Sequence, residues 1–586
     1  MRFRRLDSWD DVAGSAGLVY FAQLIDEMLF DYTLDAYKPS AMNTCLLVGE
    51  AAATIKSIES GVIQRPNLEH ILRELCSSLS KDDVAKEMLT VDILGVMAAL
   101  NSNLSLSSAD TIVDLLGRQM KIEEYKGLSE QILVNEICGP NRLPVIRSLA
   151  RSYITTLLNF GYSSKYLGRV AREFFFSSSN RVTDSGSIKG FFQIFSNEPV
   201  GYKVFCKAPK YFKSFNDLAS RLGISMPGEI EVFSSAFKQH GFKLSGDEIY
   251  LVFDKVSALD PYVANSMVHA KLNQLQTLIG LYHHKATPRY FFESIVVEPD
   301  GKVALKAARV LHPMHKCLDH KVGAAARKLN KFVAGFSMKK ESFRKFNRSA
   351  ELHALALSSD STENQMINLW IALESLIPNK SDAGKASIEH VIDSVMPFLN
   401  SVYVKKVILR LSKDLLLWNS RLVKKLLKGV GADDLVSRTA SLLILEKYQA
   451  QRSELEASFG DFLLLSDRYS YVKDLISTPA SIVRSLDAHQ QRVSWQIRRI
   501  YRARNLIVHD GKTPSYCEVL IENIHDYLDV VLNGLMSLAS QQRISTIDQG
   551  FKYVELNYSA YLSGLKRKGL GFDEGNLSEL LFGNLI

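Results

Sequence analysis

The spacing of apolar residues changes twice along the chain, and this change limits the folds that the chain can adopt. Apolar residues recur every three or four positions over residues 17–30 and 111–116, and again after about residue 320. Short runs of β-branched and aromatic residues lie between these regions, at 191–195, 202–206, 229–233, 249–253 and Phe291–Val297. The pattern therefore predicts a mainly α protein with a helical N-terminal region and a central α+β unit.

The same pattern, with its turn and linker sequences, predicts the order of the domains. A Ser-rich stretch at 177–186 is typical of a linker, and Glu-Pro-Asp-Gly at 298–301 forms a turn after the last predicted strand. We predict a helical N-terminal domain over 1–180, an α+β domain over 187–310, a helical domain over 320–545 and a C-terminal tail over 546–586. Individual helices are predicted at 261–283, 363–377, 386–399, 402–417, 433–457, 466–476, 479–509 and 515–541.

Composition narrows the classes of protein to consider. Hydrophobic residues make up 46% of the chain and charged residues 23%, which is typical of folded globular proteins, and a net charge of +8 is compatible with a nucleic-acid partner. The N-terminus has no apolar core of a signal peptide, and no stretch of 18 apolar residues occurs. The six cysteines are scattered without a CxxC motif. We therefore expect a cytoplasmic protein without disulfides or membrane spans.

Motifs for several common chemistries are missing from the sequence. It contains no Walker A, HExxH or GxSxG motif, so ATP-driven action and hydrolysis of those kinds are not expected, and no cofactor is predicted. One segment, His312-Pro-Met-His315-Lys-Cys317-Leu-Asp-His320, carries zinc-type ligands at a spacing that matches no standard site. A His-rich surface segment is the favoured interpretation, with metal binding as the alternative.

The segment with the most chemical information is residues 496–511. Apolar residues at 493, 497, 500 and 507 form one buried stripe, and Gly511 suits the left-handed position that ends a helix. On a regular α-helix, Asn505 and His509 share a face because they are four residues apart, and the long side chain of Arg504 can reach the same point. The sequence thus predicts that an imidazole, an amide and a guanidinium converge at a helix end.

This grouping fits the cleavage of a phosphodiester. His509 can transfer a proton near neutral pH, Arg504 can hold a phosphate through two hydrogen bonds, and Asn505 can orient either side chain. If the substrate is RNA, its 2′-hydroxyl can act as nucleophile, so no metal is needed. The segment 481–512 is rich in arginine, and we select Arg498, Arg502 and Lys512 as candidate substrate-binding residues.

Two motifs resemble those of a known family. Residues 501–511 resemble the R-x4-H motif of HEPN domains, in the form with a polar residue after the arginine. Residues 368–376, which contain Trp370 and Glu374, resemble the W-x-A-L-E helix of the Apea-like HEPN group of bacterial defence proteins. The two motifs occur in the family's order, and the resemblance covers about residues 340–545. The position three residues after His509 is Lys512, where HEPN proteins paired with nucleotidyltransferases usually have tyrosine, which argues against such a toxin–antitoxin pair.

The resemblance implies a C-terminal HEPN helical bundle that works as a homodimer. Members of the family cut RNA without metal, with the arginine and histidine of both protomers in one cleft, and many serve in anti-phage defence by abortive infection. It also implies a supporting role for Glu374, for which we favour a salt bridge to Arg504 over direct catalysis. The N-terminal half would then sense a phage-derived trigger or restrain the nuclease, an expectation that comes from this role.

A second interpretation of the same residues remains open. Arg504 could pair with a buried carboxylate and His509 could cap the helix end, so that both are structural. The chain would then be a non-catalytic HEPN module that binds RNA or a protein partner.

Overall fold

The structure is a computed structural model, and it describes the chain apart from Arg2 and residues 31–37, 228–233, 284–288, 308–312, 317–320, 380–386, 568 and 584–586. It is mainly helical, with 69% of residues in helices and one small four-stranded antiparallel sheet between residues 200 and 307. The predicted fold class, mainly α with a central α+β unit and a helical N-terminal region, is therefore confirmed.

The chain forms two compact units, each assembled from separate stretches of sequence. The first comprises Met1–Arg5, Val12–Ser152 and His312–Ile586, and the second comprises Leu6–Asp11 and Tyr153–Leu311. Most of the predicted N-terminal domain thus belongs to the same unit as the predicted HEPN-like domain and the tail. The division into four independently folding segments stays a prediction.

Helices in the first 160 residues begin at side chains that suit helix starts. Asn43, Asp82, Asp92 and Ser105 each accept a hydrogen bond from a backbone amide of the following first turn. The helices are α1 (Ala16–Met28), α2 (Thr44–Glu59), α3 (Pro66–Leu79), α4 (Asp83–Met88), α5 (Ile93–Leu100), α6 (Leu106–Gln119), α7 (Ile122–Cys138) and α8 (Leu143–Phe160).

The second unit is built around the sheet, whose strand order is β2-β1-β3-β4. Successive side chains of the strand Val200–Pro209 point to opposite faces of the sheet. Val204 and Cys206 pack in the cluster that contains Leu272 of the helix Pro261–Gly280. Phe205 packs with Phe237 in a cluster on the other face. Its elements are α9 (Ser164–Phe176), α10 (Ile188–Gln193), β1 (Val200–Pro209), α11 (Asn216–Arg221), α12 (Ser234–Gln239), β2 (Glu248–Ala258), α13 (Pro261–Gly280), β3 (Phe291–Val297) and β4 (Val303–Ala307).

Most of the predicted elements in this region occur. The runs 202–206, 249–253 and Phe291–Val297 are strands, and the predicted helix at 261–283 is α13. The run 191–195 is not a strand, because Ile188, Phe191, Phe192 and Phe195 are all buried at helical spacing and form one face at α10. The run 229–233 lies outside the described residues.

The remaining helices all belong to the first unit. The predicted helices at 386–399 and 402–417 are one continuous helix, because the polar Asn400 at the expected break is buried and bonded to Tyr558 and His489 at 2.8 and 2.7 Å. The helices are α14 (Val322–Gly335), α15 (Lys340–Ser358), α16 (Thr362–Leu376), α17 (Ser387–Lys428, with non-helical backbone at Asn419), α18 (Leu435–Ile444), α19 (Gln449–Ala457), α20 (Leu463–Leu475), α21 (Pro479–Asn505), α22 (Cys517–Ser540), α23 (Ile547–Leu565) and α24 (Leu577–Phe582).

One core cluster of this unit includes residues of α16, α21 and α22. Trp370 on α16 is 1% exposed, and its ring lies 5.6 Å from that of Tyr501 on α21. The expectation that Trp370 is a core residue is therefore confirmed, and this contact helps to position the last turns of α21. Across the described part of the chain, no helix is both long enough and apolar enough to span a bilayer.

A close backbone approach between α14 and the end of α22 generates a first prediction. A Cβ added to Gly335 would overlap the carbonyl oxygen of Ser540 and lie 3.1 Å from its carbonyl carbon. Nearby, the Ser337 hydroxyl donates to the carbonyl oxygens of Ala539 and Ile544 at 2.9 and 2.7 Å, which limits how far the two segments can separate. We expect Gly335→Ala to destabilise the first unit by about 1–3 kcal/mol, measured by urea unfolding followed by circular dichroism.

The matched control lies at the other end of the same helix. A Cβ at Gly323 would meet only the guanidinium of Arg327, at 3.7 Å, so Gly323→Ala should leave the unfolding midpoint unchanged or raise it slightly. Equal stability of Gly335→Ala and Gly323→Ala would contradict the predicted overlap.

Candidate functional site

The candidate site lies where α21 ends, and the helix ends in an unusual way. After Asn505 the chain makes one π-helical turn, Leu506–Asp510, and Gly511 follows with φ 64° and ψ 21°. The amide of Gly511 donates to the carbonyl oxygen of Leu506, five residues back. The predicted left-handed glycine at the helix end is therefore confirmed. Single π-turns are rare and occur frequently at functional sites.

The π-turn changes which side chains share a face. On a regular α-helix, residues four apart are neighbours, which favours Asn505 and His509. A turn closed by i to i+5 hydrogen bonds holds one more residue, so residues five apart become neighbours along the axis. His509 therefore follows both Arg504 and Asn505 by about one turn, and among the described residues no hydrogen bond joins it to either side chain.

Arg504 is a half-buried cation that lacks an acidic partner. Its Nη1 donates to Oδ1 of Asn505 at 3.0 Å, and its Nε is buried without a hydrogen-bond partner among the residues that the structure describes. No ion pair joins Arg504 to a carboxylate in that part of the chain. Asn505 itself is 6% exposed, so it can hold the guanidinium in place. Among the described residues, Arg504 thus has no buried carboxylate as a partner, which the alternative interpretation expected.

His509 and Lys512 lie on the outer side of this helix end. Both side chains are exposed, as are Val508 and Asp510 of the same turn. The structure therefore brings Arg504 and Asn505 into direct contact, and places His509 and Lys512 within reach of solvent a few residues later.

Arg498 and Arg502, the other predicted substrate-binding residues, are engaged with protein carboxylates. Arg498 donates two hydrogen bonds to Glu389 at 2.9 and 2.8 Å, and Arg502 is buried and donates to Glu50 at 2.7 Å. Because these guanidinium groups already have anionic partners inside the protein, we do not include them in the proposed substrate site.

Glu374 does not form the salt bridge that we favoured. It is exposed on α16, and no ion pair between it and Arg504 exists among the described residues. A different glutamate of α16 reaches the loop after Gly511: Glu363 accepts hydrogen bonds from Thr513 and Ser361, both at 2.7 Å. Partial burial raises the pKa of Glu363, but these hydrogen bonds outweigh it and hold the pKa below its usual range.

Two further glutamates near the site were not predicted from the sequence. Arg499 is buried and donates to Glu50 at 3.0 and 2.9 Å and to Glu74 at 2.7 Å. Burial raises the pKa of Glu50, but the guanidinium groups of Arg499 and Arg502 outweigh it and hold the pKa at about 2. Burial also raises the pKa of Glu74, and here it prevails over Arg499. Helices α2 and α3 are thus tied to α21 through charges inside the first unit.

The charges around the helix end leave Arg504 uncompensated. Three carboxylates, Glu50, Glu74 and Glu389, face the guanidinium groups of Arg498, Arg499 and Arg502. The neighbouring His70 is neutral at pH 7, because burial and the charge of Arg498 lower its pKa to about 4. These three carboxylates are paired with the other three arginines, and none of them is paired with Arg504, so an anion can approach this guanidinium.

Of the four zinc-type ligands considered in the sequence, only His315 lies among the described residues. His312, Cys317 and His320 lie outside the described residues, and His315 is exposed. The cluster of Arg504, Asn505 and His509 offers no carboxylate or thiolate, so it suits an anion better than a metal ion.

Comparisons with known proteins add no relative. No protein family model matches the chain, and neither a curated protein nor a solved structure matches it. Interpretation of the site therefore depends on its residues and their geometry.

The buried contact between Glu50 and the arginines yields the second prediction. Glu50→Gln removes a buried charge and leaves Arg499 and Arg502 undercompensated, which should cost about 3–5 kcal/mol in urea unfolding at pH 7. Because the folded pKa of about 2 lies below the ordinary value of 4.5, the stability from the Glu50 charge is present above pH 4.5 and is lost as pH falls toward 2.

The difference in the free energy of unfolding between wild type and Glu50→Gln should accordingly become smaller below about pH 4.5. Asp114→Asn is the control, since Asp114 forms an exposed pair with Arg118 and should leave stability unchanged. A difference that stays constant from pH 7 to pH 3 would contradict the assigned charge state of Glu50.

Proposed function

We propose that the chain is a metal-independent endoribonuclease of the HEPN type, with Arg504 and His509 of two copies lining one cleft. The observation that carries the proposal is the guanidinium of Arg504, which has no acidic partner among the described residues and is held by Asn505 just before a π-turn that contains the exposed His509. A cation that can bind phosphate and a nearby group that can transfer a proton suit the cleavage of RNA.

In the proposed reaction, Arg504 binds the non-bridging oxygens of the scissile phosphate, and Asn505 keeps its guanidinium oriented. His509 removes the proton of the 2′-hydroxyl, whose oxygen attacks phosphorus while the bond to the 5′-oxygen breaks. The 5′-oxygen receives a proton from the histidine of the second copy. The products are a 2′,3′-cyclic phosphate and a 5′-hydroxyl, and no water or metal ion enters this step.

Exposed cations near the turn support RNA as the substrate. Lys512 is exposed one residue after Gly511 and can contact a phosphate next to the scissile one. Arg498 and Arg502 are held by carboxylates, so the proposed binding surface is narrower than the arginine-rich sequence suggests.

We place this activity in the cytoplasm, in anti-phage defence by abortive infection, with a phage-derived trigger sensed by the N-terminal half. The contacts of Glu50 on α2 and Glu74 on α3 with α21 support a restraining role for the N-terminal helices. Any change in those helices would act on the helix that carries Arg504.

The third prediction tests the chemistry. The purified full chain should cleave single-stranded RNA in EDTA. His509→Ala should lower the rate at least about 100-fold, and Arg504→Ala should lower it about 100- to 1000-fold. His283→Ala is the control, because His283 is an exposed histidine of the second unit and should keep full activity.

Circular dichroism and melting curves should be the same for all variants. Cleavage that survives His509→Ala would overturn the proposed site. Wild-type protein that binds RNA without cutting it would instead support the non-catalytic HEPN module.

A fourth prediction tests the dimer. If both protomers build the cleft, specific activity should rise with protein concentration over the range in which light scattering shows monomers converting to dimers. A monomer with constant specific activity across that range would contradict a shared cleft.

A further inference from the structure

A second polar cluster of the first unit lies on α15 and α22 and shares no residue with the proposed nuclease site. Nε2 of His353 lies 2.9 Å from Nε2 of His525, and the carboxylate oxygens of Asp529 lie 3.8 and 3.7 Å from these two nitrogens. His525 and Asp529 are four residues apart on α22, so both project from the same face toward His353. We call these three residues the His353–His525–Asp529 cluster.

The spacings within this cluster match a shared central ion. Ligand atoms about 2.0–2.1 Å from a tetrahedral zinc ion lie roughly 3.3 Å apart. The two histidine nitrogens lie 2.9 Å apart, and each lies 3.7–3.8 Å from a different carboxylate oxygen of Asp529, so these separations lie on both sides of that value. All three ligand atoms also lie within 4.8 Å of one another, so small rotations of the side chains would suffice to bind one ion.

The local charges also favour a cation. Lys406 is paired with Asp526 at 2.8 Å, which leaves the charge of Asp529 opposite two imidazole rings. Each imidazole can offer the lone pair of its Nε2, and the carboxylate of Asp529 can supply a negatively charged oxygen.

We propose that the His353–His525–Asp529 cluster binds a divalent transition-metal ion of the zinc class. The ion would be held by Nε2 of each histidine and by a carboxylate oxygen of Asp529. The ring-to-ring hydrogen bond would be replaced, with each imidazole carrying its proton on Nδ1. Two histidines and one carboxylate are a common ligand set for such ions, and imidazole binds them more readily than it binds magnesium or calcium.

Three protein ligands leave at least one coordination position open. Asp529 is 41% exposed at its side chain, so that position can be filled by water or by a small anion from solvent. The ion would also join α15 to α22 and stabilise both helices. This site is independent of the proposed nuclease chemistry, which uses other residues and no metal.

The fifth prediction uses zinc as the probe. The full chain, stripped with a chelator and desalted, should bind about one equivalent of zinc per protomer in a competition titration with a coloured chelator. Zinc should also raise the melting temperature, because it binds the folded chain. His353→Ala and Asp529→Asn should each weaken zinc affinity by more than the roughly 10- to 100-fold that loss of an outer-shell partner costs.

Matched controls locate the ion. Asp526→Asn removes the carboxylate that pairs with Lys406, one turn from Asp529, and should keep zinc binding. Cys317→Ser tests the His-rich segment and should also keep it. Cobalt in place of zinc should give absorption bands of nitrogen and oxygen ligands without a thiolate charge-transfer band.

The outcomes are distinct from those of the nuclease test. Loss of binding in Cys317→Ser with retention in His353→Ala and Asp529→Asn would overturn the assignment. Absence of stoichiometric binding in wild type would do the same and would leave a simple hydrogen bond between two histidines. His353→Ala should still cleave RNA in EDTA if the proposed function is correct, so either proposal can fail without the other.

Discussion

The geometry of the candidate site depends on the buried charges that hold α21 against α2 and α3. Arg499 and Arg502 are almost fully buried, and a buried guanidinium is tolerated only when carboxylates compensate it. Glu50 and Glu74 supply these carboxylates from a stretch of sequence more than 400 residues away. Because Arg499 and Arg502 are three residues apart, they define one face of α21, and their pairing fixes the rotation of the helix about its axis.

This fixed rotation explains why Arg504 differs from its neighbours. It follows Arg502 by two residues, so it projects from a different side of the helix and away from Glu50 and Glu74. There it meets the amide of Asn505 instead of a carboxylate. The same arginine-rich segment thus provides structural cations on one face and an available cation near its end.

Local patterns in the sequence were sufficient to predict much of the fold, and the long-range contacts were not predictable from it. Short runs of β-branched and aromatic residues identified three of the four strands, and Gly511 marked the end of the candidate helix. The strand β4 was missed because Val303–Ala307 is short and carries a lysine. The π-turn was missed because the spacing of apolar residues does not distinguish a widened turn from a regular one, and so the alignment of Asn505 with His509 was assumed.

The roles of the charged residues were harder to infer, because they depend on contacts between residues that are far apart in the sequence. A glutamate in a sequence does not reveal whether it is buried or which cation it meets, so Glu374 was selected and Glu50 was overlooked. The one local indication was that Glu50 lies among Leu47, Val48 and Ala51 on the buried face of α2. A carboxylate on an apolar face must be paired, and that consideration applied to every helix would have marked Glu50 as a partner for an arginine.

The charge cluster at α21 and the His353–His525–Asp529 cluster lie on different helices of the first unit, and two of these helices meet at one loop. The buried arginines position α21, which precedes the loop at 511–516, and the His353–His525–Asp529 cluster lies on α22, which follows it. Thr513 within that loop is bonded to Glu363 on α16, so the segment after the π-turn is held from several sides. An ion at α22 would therefore strengthen the support of the candidate site while taking no part in its chemistry. The proposed metal-independent cleavage and the proposed metal site are compatible in one chain, because the first would depend on Arg504 and His509 and the second on side chains that need not touch the substrate.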